Sequence, residues 1–277
     1  MTLHAPSYAG GFASPERGLI DRSLWDGVVG AWAPSLGATG LTLRDHSGKA
    51  NHGTLTNATL ATAWADPRGI TLTTGTDYVN VAQTDWAFPA DFAVSLWVNF
   101  TTYNGYQNVI STTRDGNANG GFWMEFGSAR GYTTYSNGVL LLSDTVSIKA
   151  LNTGQWYHVA MTRKGSALSL WLDAAEIGSN ATTATVGDTT NPLLVGKYSV
   201  ADTTSALDGM VDDIVVYSGR GLTAAEVADL HRLGRGGIYR RQLQYNAKAP
   251  SAGRINSLVG VGGGMIGYGG GMIGRGY

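Results

Sequence analysis

The segment 92–100 reads FAVSLWVNF, and its side chains alternate. Phe92, Val94, Leu96, Val98 and Phe100 point one way, and Ala93, Ser95, Trp97 and Asn99 the other. A period of two is that of a half-buried β-strand; an amphipathic helix repeats its apolar residues every three to four positions. The pattern returns along the chain. WYHVAMT (156–162) sets Trp156, His158, Ala160 and Thr162 against Tyr157, Val159 and Met161, LSLWLD (168–173) turns Leu168, Leu170 and Leu172 inward, and MVDDIVVY (210–217) reads as a further strand. Turn-forming runs separate these segments: DGNANGG at 115–121, SNG at 136–138, RKGS at 163–166 and DAAE at 173–176. Strand after strand without alternating helices predicts an all-β, two-sheet antiparallel sandwich and excludes a βαβ fold.

One helix stands out, in GLTAAEVADLHRLG (221–234). Thr223 and Glu226 have the spacing of a capping box, and Leu222 with Val227 that of a hydrophobic staple. Val227, Leu230 and Leu233 form an apolar stripe, and Gly234 is placed for the C-cap. Three regions are expected: an irregular N-terminal arm (1–24), a sandwich closed by this short helix (25–233), and a C-terminal arm (234–277).

The C-terminal arm has a composition of its own. GGGMIG occurs twice, at 262–267 and 269–274. So much glycine builds no core, because glycine loses the most backbone entropy on ordering and buries no side chain. From His231 onward there are seven basic residues (Arg232, Arg235, Arg240, Arg241, Lys248, Arg254 and Arg275) and no acid, whereas the rest of the chain holds 12 Lys/Arg against 20 Asp/Glu. A basic arm of +7 beside a body of −8 suits docking on an acidic surface. Arg240 and Arg241, with Met265, Ile266, Met272, Ile273 and Tyr277 as apolar anchors, are the candidate assembly residues. The basic residues are too sparse for a nucleic-acid footprint, so no nucleic acid is expected.

Composition narrows the remaining classes. The chain has no cysteine, which excludes disulfides and thiolate metal sites. No apolar run is long enough to span a membrane. The opening MTLHAPSYAGGF lacks a basic and then apolar stretch, so a cleaved secretory signal is not expected.

Four segments, in order, resemble the bacterial and viral laminin G-like domains of the concanavalin A-like superfold: VVGAWAPSLGATGLTLRDHSGKANHGTL (28–55), DFAVSLWVNF (91–100), TGQWYHVAMTRKGSALSLWLDAAEIGS (153–179) and LDGMVDDIVVYSGRGLTAAEVADL (207–230). The resemblance covers roughly residues 25–233 and implies a jelly roll. The first segment is also similar to laminin G-like proteins encoded among tailed-phage structural genes, which implies a virion, or otherwise an extracellular surface reached without a cleaved signal.

Glucanases of this superfold carry E-x-D-x-x-E on a strand, two carboxylates at the spacing for retaining hydrolysis. Here the nearest run is Trp171–Glu176, with Trp in the first position, and Asp173 and Glu176 bracket a turn; no enzyme is expected. None of the five histidines pairs with another at metal-ligand spacing, and no G-x-S-x-G elbow appears. The resemblance implies a structural calcium between the first turn and the late acidic strand, with Asp45, Asn51 and Asp212 or Asp213 as candidate ligands; the same D-x-S-G-x-x-N run is also an ordinary Asx-turn. Asp212 and Asp213 are adjacent on a strand and are expected on opposite faces. A glycan site is expected near the loop 103–119, with Tyr103, Tyr106, Asn117 and Asn119 as candidate contacts and Trp123, Tyr132 and Tyr135 nearby. The leading expectation is a non-catalytic virion subunit, a capsid decoration or other surface protein, bound through its arms to copies of itself or to other virion proteins. The alternative is a lectin-like adhesion module.

Overall fold

A computed structural model describes residues 24–238 except 65, 67–68, 74, 103–104, 113–120, 128–130, 137–138, 145–150, 188 and 203. The first compact unit ends at Ile238. Both terminal arms, apart from Leu24 and residues 234–238, lie outside the described residues, as do all the candidate assembly residues.

The strands are β1 (Val28–Trp32), β2 (Thr42–Leu43), β3 (Gly53–Thr56), β4 (Ile70–Leu72), β5 (Tyr78–Val81), β6 (Phe92–Phe100), β7 (Tyr106–Ser111), β8 (Phe122–Gly127), β9 (Gly131–Ser136), β10 (Val139–Asp144), β11 (Trp156–Lys164), β12 (Ala167–Leu172), β13 (Ala175–Ala181), β14 (Leu193–Val195) and β15 (Gly209–Ser218). A seven-stranded sheet runs β1-β15-β6-β11-β12-β13, with β4 also on β15; an eight-stranded sheet runs β10-β9-β8-β7-β14-β5-β3-β2. Every pairing is antiparallel. This is the two-sheet antiparallel sandwich expected from the strand pattern, in the jelly-roll form that the resemblance implies. The inward residues of β6, Val159 and Met161 of β11, and Leu168 and Leu170 of β12 pack against Val79, Phe122, Met124, Phe126 and Val195 of the facing sheet.

One expectation about β6 is corrected. The strand is not half-buried: Ala93, Ser95 and Asn99 are buried as well, and only Trp97 is partly open. The cause is a second layer. Helix α1 (Leu60–Ala63) is a single turn, but α2 (Ala224–Leu233) buries Val227 and Leu230, and its His231 stacks on Trp97 of β6 at 5.5 Å. The helix is fixed as its sequence demands. Thr223 and Glu226 form the reciprocal capping box, and Gly234 takes φ 68 at the C-cap. Beyond it Ile238 is still 5% exposed.

Two residues tie the sandwich ends together. Trp32 is fully buried, its Nε1 donates to the Asn51 carbonyl at 2.8 Å, and its ring lies over Gly30, where a Cβ would come within 2.3 Å. Arg163, 1% exposed, donates to the carbonyls of Phe88, Ala90 and Ala184, with its guanidinium 5.4 Å from the Phe92 ring. A buried cation here gathers three loop carbonyls, of which Phe88 also accepts the Val186 N–H at 3.2 Å.

Candidate functional site

The first turn, between β2 and β3, is built around Asp45. Its Oδ1 accepts from the backbone N–H of Ala31 (2.9 Å) and Ser47 (2.8 Å), and its Oδ2 from Ser47 Oγ (2.7 Å) and the Asn51 N–H (2.9 Å). Asn51 in turn donates from Nδ2 to the Val29 carbonyl at 2.8 Å. Asp45 and Asn51 are thus brought together, as an Asx-turn knot pinned to β1. Asp212 and Asp213 hold other partners. Asp212 Oδ1 accepts from the Ser35 N–H at 3.1 Å, and Asp213 Oδ2 accepts from the Gly236 N–H. A β-bulge between Asp212 and Val215, with Asp213 at φ 44, breaks the simple alternation expected for this pair. The four candidate calcium ligands therefore do not fit a calcium shell as arranged: both Asp45 oxygens already face N–H and O–H donors. Among the described residues, no group of three or more His, Cys, Asp or Glu side chains is disposed to hold a metal.

On the outer face of the seven-stranded sheet, His158 Nε2 lies 2.9 Å from Ser95 Oγ, and both residues are buried beneath α2. Burial, with the nearby His231 charge adding, pushes His158 down to about 3. It is a packed imidazole, 1% exposed, whose Nδ1 has no hydrogen-bond partner among the described residues. The run Trp171–Glu176 forms a hairpin. Asp173 (φ 47) and Ala174 (φ 67) make the two-residue turn between β12 and β13, and Asp173 Oδ1 accepts from the His158 N–H at 2.8 Å.

The outer face of the eight-stranded sheet carries a different set. Phe122, Met124 and Phe126 of β8 enter the core, so Trp123 and Glu125 face out. Cross-strand pairing sets Trp123 against Tyr135 and Glu125 against both Thr133 and Asn108. Trp123 and Tyr135 stack at 4.7 Å and 11°, and Tyr198 meets Trp123 edge-on at 5.0 Å. Beside this wall Glu125 Oε1 accepts from Thr133 Oγ1 (3.2 Å) and Oε2 from Asn108 Nδ2 (3.4 Å). Asn108 Oδ1 is buried with no partner among the described residues. Burial, and then the carboxylates of Asp202 and Glu125, raise the Tyr198 phenol above its ordinary range, so it stays a hydroxyl donor.

This face was reachable in part from sequence. Tyr135 and Trp123 share it, but Tyr132 does not: it is buried in the core, stacked on Phe126 at 4.5 Å. Tyr106 opens β7 and is 38% exposed, whereas Tyr103, Asn117 and Asn119 lie outside the described residues. Glu125, Asn108, Thr133 and Tyr198 were missed. The alternation within FWMEFG and GYTTYS was the available signal for the first and third; Asn108 and Tyr198 join only through pairing and the loop after β14.

No curated protein matches the sequence. Among solved structures, domain 4 of an extracellular arabinanase from Geobacillus stearothermophilus, in complex with arabinotriose, is 15% identical with a TM-score of 0.51, covering 74% of this chain and 98% of that one. The binding domain of botulinum neurotoxin serotype D is 14% identical with a TM-score of 0.56, covering 77% of this chain and 52% of that one. Trypanosoma rangeli sialidase is 16% identical with a TM-score of 0.55, covering 74% of this chain and 32% of that one. The chain thus spans about half of the neurotoxin domain and a third of the sialidase, and at these identities the likeness is one of fold. A family model described as the concanavalin A-like lectin/glucanases superfamily matches residues 73–228. With its two sheets, their pairing and this match in agreement, the chain belongs to the concanavalin A-like lectin/glucanase superfamily, in its laminin G-like branch.

Proposed function

We propose that the protein is a non-catalytic carbohydrate-binding module whose ligand lies against the outer face of the eight-stranded sheet. The observation that carries this reading is the junction of an aromatic wall and a held carboxylate: Trp123, Tyr135 and Tyr198 beside Glu125, which Asn108 and Thr133 orient. A sugar ring offers an apolar face to aromatic rings and hydroxyl groups to acceptors. Tyr135 and Tyr198, both half-buried, form the open edge of this wall, and the Tyr198 hydroxyl supplies a donor; Trp123 and Glu125 are 7% exposed and Asn108 is fully buried, so they hold the site from beneath. The arabinotriose complex of the arabinanase domain and the neurotoxin binding domain support a recognition role on this fold. A binding rather than hydrolytic reading is supported by the hairpin at Trp171–Glu176, which has no strand-borne pair of carboxylates.

The test is a glycan array followed by calorimetry on the best neutral oligosaccharide. Tyr135→Ala and Glu125→Gln are each expected to weaken binding about tenfold or more, a loss of ~1.4 kcal/mol or more. A chelator is expected to leave the affinity unchanged, because Asp45 is committed to protein donors. Equal affinity in both variants and the parent chain sinks this assignment.

A second reading rests on the C-terminal arm: its charge of +7 and its repeated GGGMIG favour an attachment device, in a virion or another assembly. Light scattering of the full chain beside a chain ending at Ile238 tests it. The cut is placed after Ile238 because Gly236 and Ile238 are buried in the first unit. A defined oligomer that becomes a folded monomer on truncation supports assembly; equal masses remove it.

A further inference from the structure

Helix α2 and the residues after it form a lid over the outer face of the seven-stranded sheet. Beneath the lid is a cavity of about 10 Å³, with Ser95, Trp97, His158 and Asp213 on the sheet side and Leu230 and Ile238 on the helix side. That is space for one water at most. His158 Nε2 meets Ser95 Oγ at 2.9 Å, and its Nδ1 is the nitrogen without a partner. A neutral imidazole carries one N–H. An imidazolium carries two, and with the lid shut only one of them has an acceptor.

The lid is held unevenly. Its N-terminal end is tied by the capping box and by Arg220, which pairs with Glu226 and donates to the Asp26 carbonyl at 2.9 Å. Its C-terminal end rests on contacts around the cavity: the buried Leu230 and Ile238, the His231 ring stacked on Trp97, and the Gly236 N–H on Asp213. The charged groups around His158 also meet at this end. From α2 comes His231, its ring 5.9 Å from that of His158. From the β12–β13 turn comes Asp173, whose Oδ1 lies 3.8 Å from His231 Nε2. From β15 come Asp213, on the cavity wall, and Asp212, bonded to the Ser35 N–H. After the helix comes Arg235, 4.2 Å from the centre of the Trp156 ring. β6 presents Ser95 and Trp97, neither of them charged. A charge on His231 alone is answered by Asp173, so it does not open the lid. A charge on His158 as well sets two cations 5.9 Å apart, one of them shut away from water.

We propose that α2 is an acid-operated latch: protonation of His158 lifts its C-terminal half, together with residues 234–238, off the sheet while the sandwich stays folded. The closed site refuses the proton, and the open form, with the ring in water, accepts it. Above pH 6.5 the ring is neutral in both forms and acid has no leverage; below that, each pH unit favours the open form by up to about tenfold. The latch shares no residue with the Trp123–Tyr135 face and stands whether or not that face binds sugar.

The test is amide hydrogen exchange of the full chain between about pH 7 and 4.5, with each rate corrected for intrinsic exchange, in water and in low urea. Amides of the last turn of α2 are expected to exchange through an opening that ignores low urea, because it exposes little surface; those of β6 follow global unfolding and respond to it. Protection of the α2 amides is expected to fall about tenfold per pH unit below 6.5. His158→Gln keeps a partner for Ser95 and does not titrate, so its α2 protection should stay level with pH. Leu230→Ala loosens the lid by truncation. It should lower α2 protection at every pH and keep the slope, which retains a reading even where His158→Gln does not fold. α2 amides that exchange only together with β6, with the same urea response, overturn the latch. So does an undiminished pH slope in His158→Gln, or a level one in Leu230→Ala.

Discussion

Changing Arg163 to alanine is expected to lower the melting temperature by roughly 10 °C or more, from a loss of about 3–5 kcal/mol. Three carbonyls, those of Phe88, Ala90 and Ala184, accept from this one guanidinium, and the Phe88 carbonyl also takes the Val186 N–H. A hydrogen bond to a charged donor contributes more than a neutral one, and a buried acceptor left bare costs its full desolvation. The substitution also removes the cation from beside Phe92 and opens a void at the end of the core. Arg163→Lys separates charge from shape: one ammonium cannot span carbonyls contributed by two separate loops, so it should recover only a fraction. A thermal melt of both variants checks this, and a shift of a degree or two for alanine would show that water takes over the carbonyls without cost.

Acid is expected to weaken the fold through His158, and His158→Gln to flatten that dependence. The folded imidazole is held down to about 3, against an ordinary value of 6.5. Above pH 6.5 the ring is neutral in both states and its packing contributes in full. Below that, the unfolded chain takes up a proton that the folded chain refuses, so stability falls by about 1.4 kcal/mol per pH unit, down to about pH 3. Between pH 6.5 and 4.5 the cost is therefore about 2–3 kcal/mol. Asp212 acts with the opposite sign. Burial raises its carboxyl, so the folded state accepts a proton first and acidification relieves a cost. Asp212 is present in both proteins and cancels in their difference. Glutamine can keep the hydrogen bond to Ser95 without titrating. Urea midpoints at a series of pH values give the slope, and equal slopes for parent and variant would remove His158 as the cause.

How much of this was legible follows from what each feature depends on. Strand existence and the caps of α2 are local: alternation in 92–100 and the Thr223–Glu226 spacing need only neighbours in sequence, and both appear as read. The Asp45 turn is local too: its side chain takes the Ser47 and Asn51 N–H groups that the D-x-S-G-x-x-N spacing brings to it. The second layer over β6 was not legible, because the burial of Ser95 and Asn99 depends on a helix more than a hundred residues away in sequence. The bulge at Asp212–Val215 was hidden for a related reason: an inserted residue leaves the composition of a strand unchanged and shows only against its partner. The set around Trp123 and Tyr135 needs register as well. Tyr132 and Tyr135 look equivalent in the sequence, yet an odd separation along β9 sends one into the core and the other to the outer face.

The place of β15 has a consequence for synthesis. This late strand lies between β6 on one side and β1 and β4 on the other, so the first strand made is joined to the sheet only through one of the last. While the chain emerges from the ribosome, β1 and the open edge of β6 must wait, unpaired, until nearly all of the sandwich has been translated. Closure is then dominated by contacts between distant parts of the chain, which makes for slow folding and a long interval with exposed strand edges. A chain of this topology has reason to be made where a chaperone can shield those edges, and any break in translation before residue 209 leaves a product with no route to the native seven-stranded sheet.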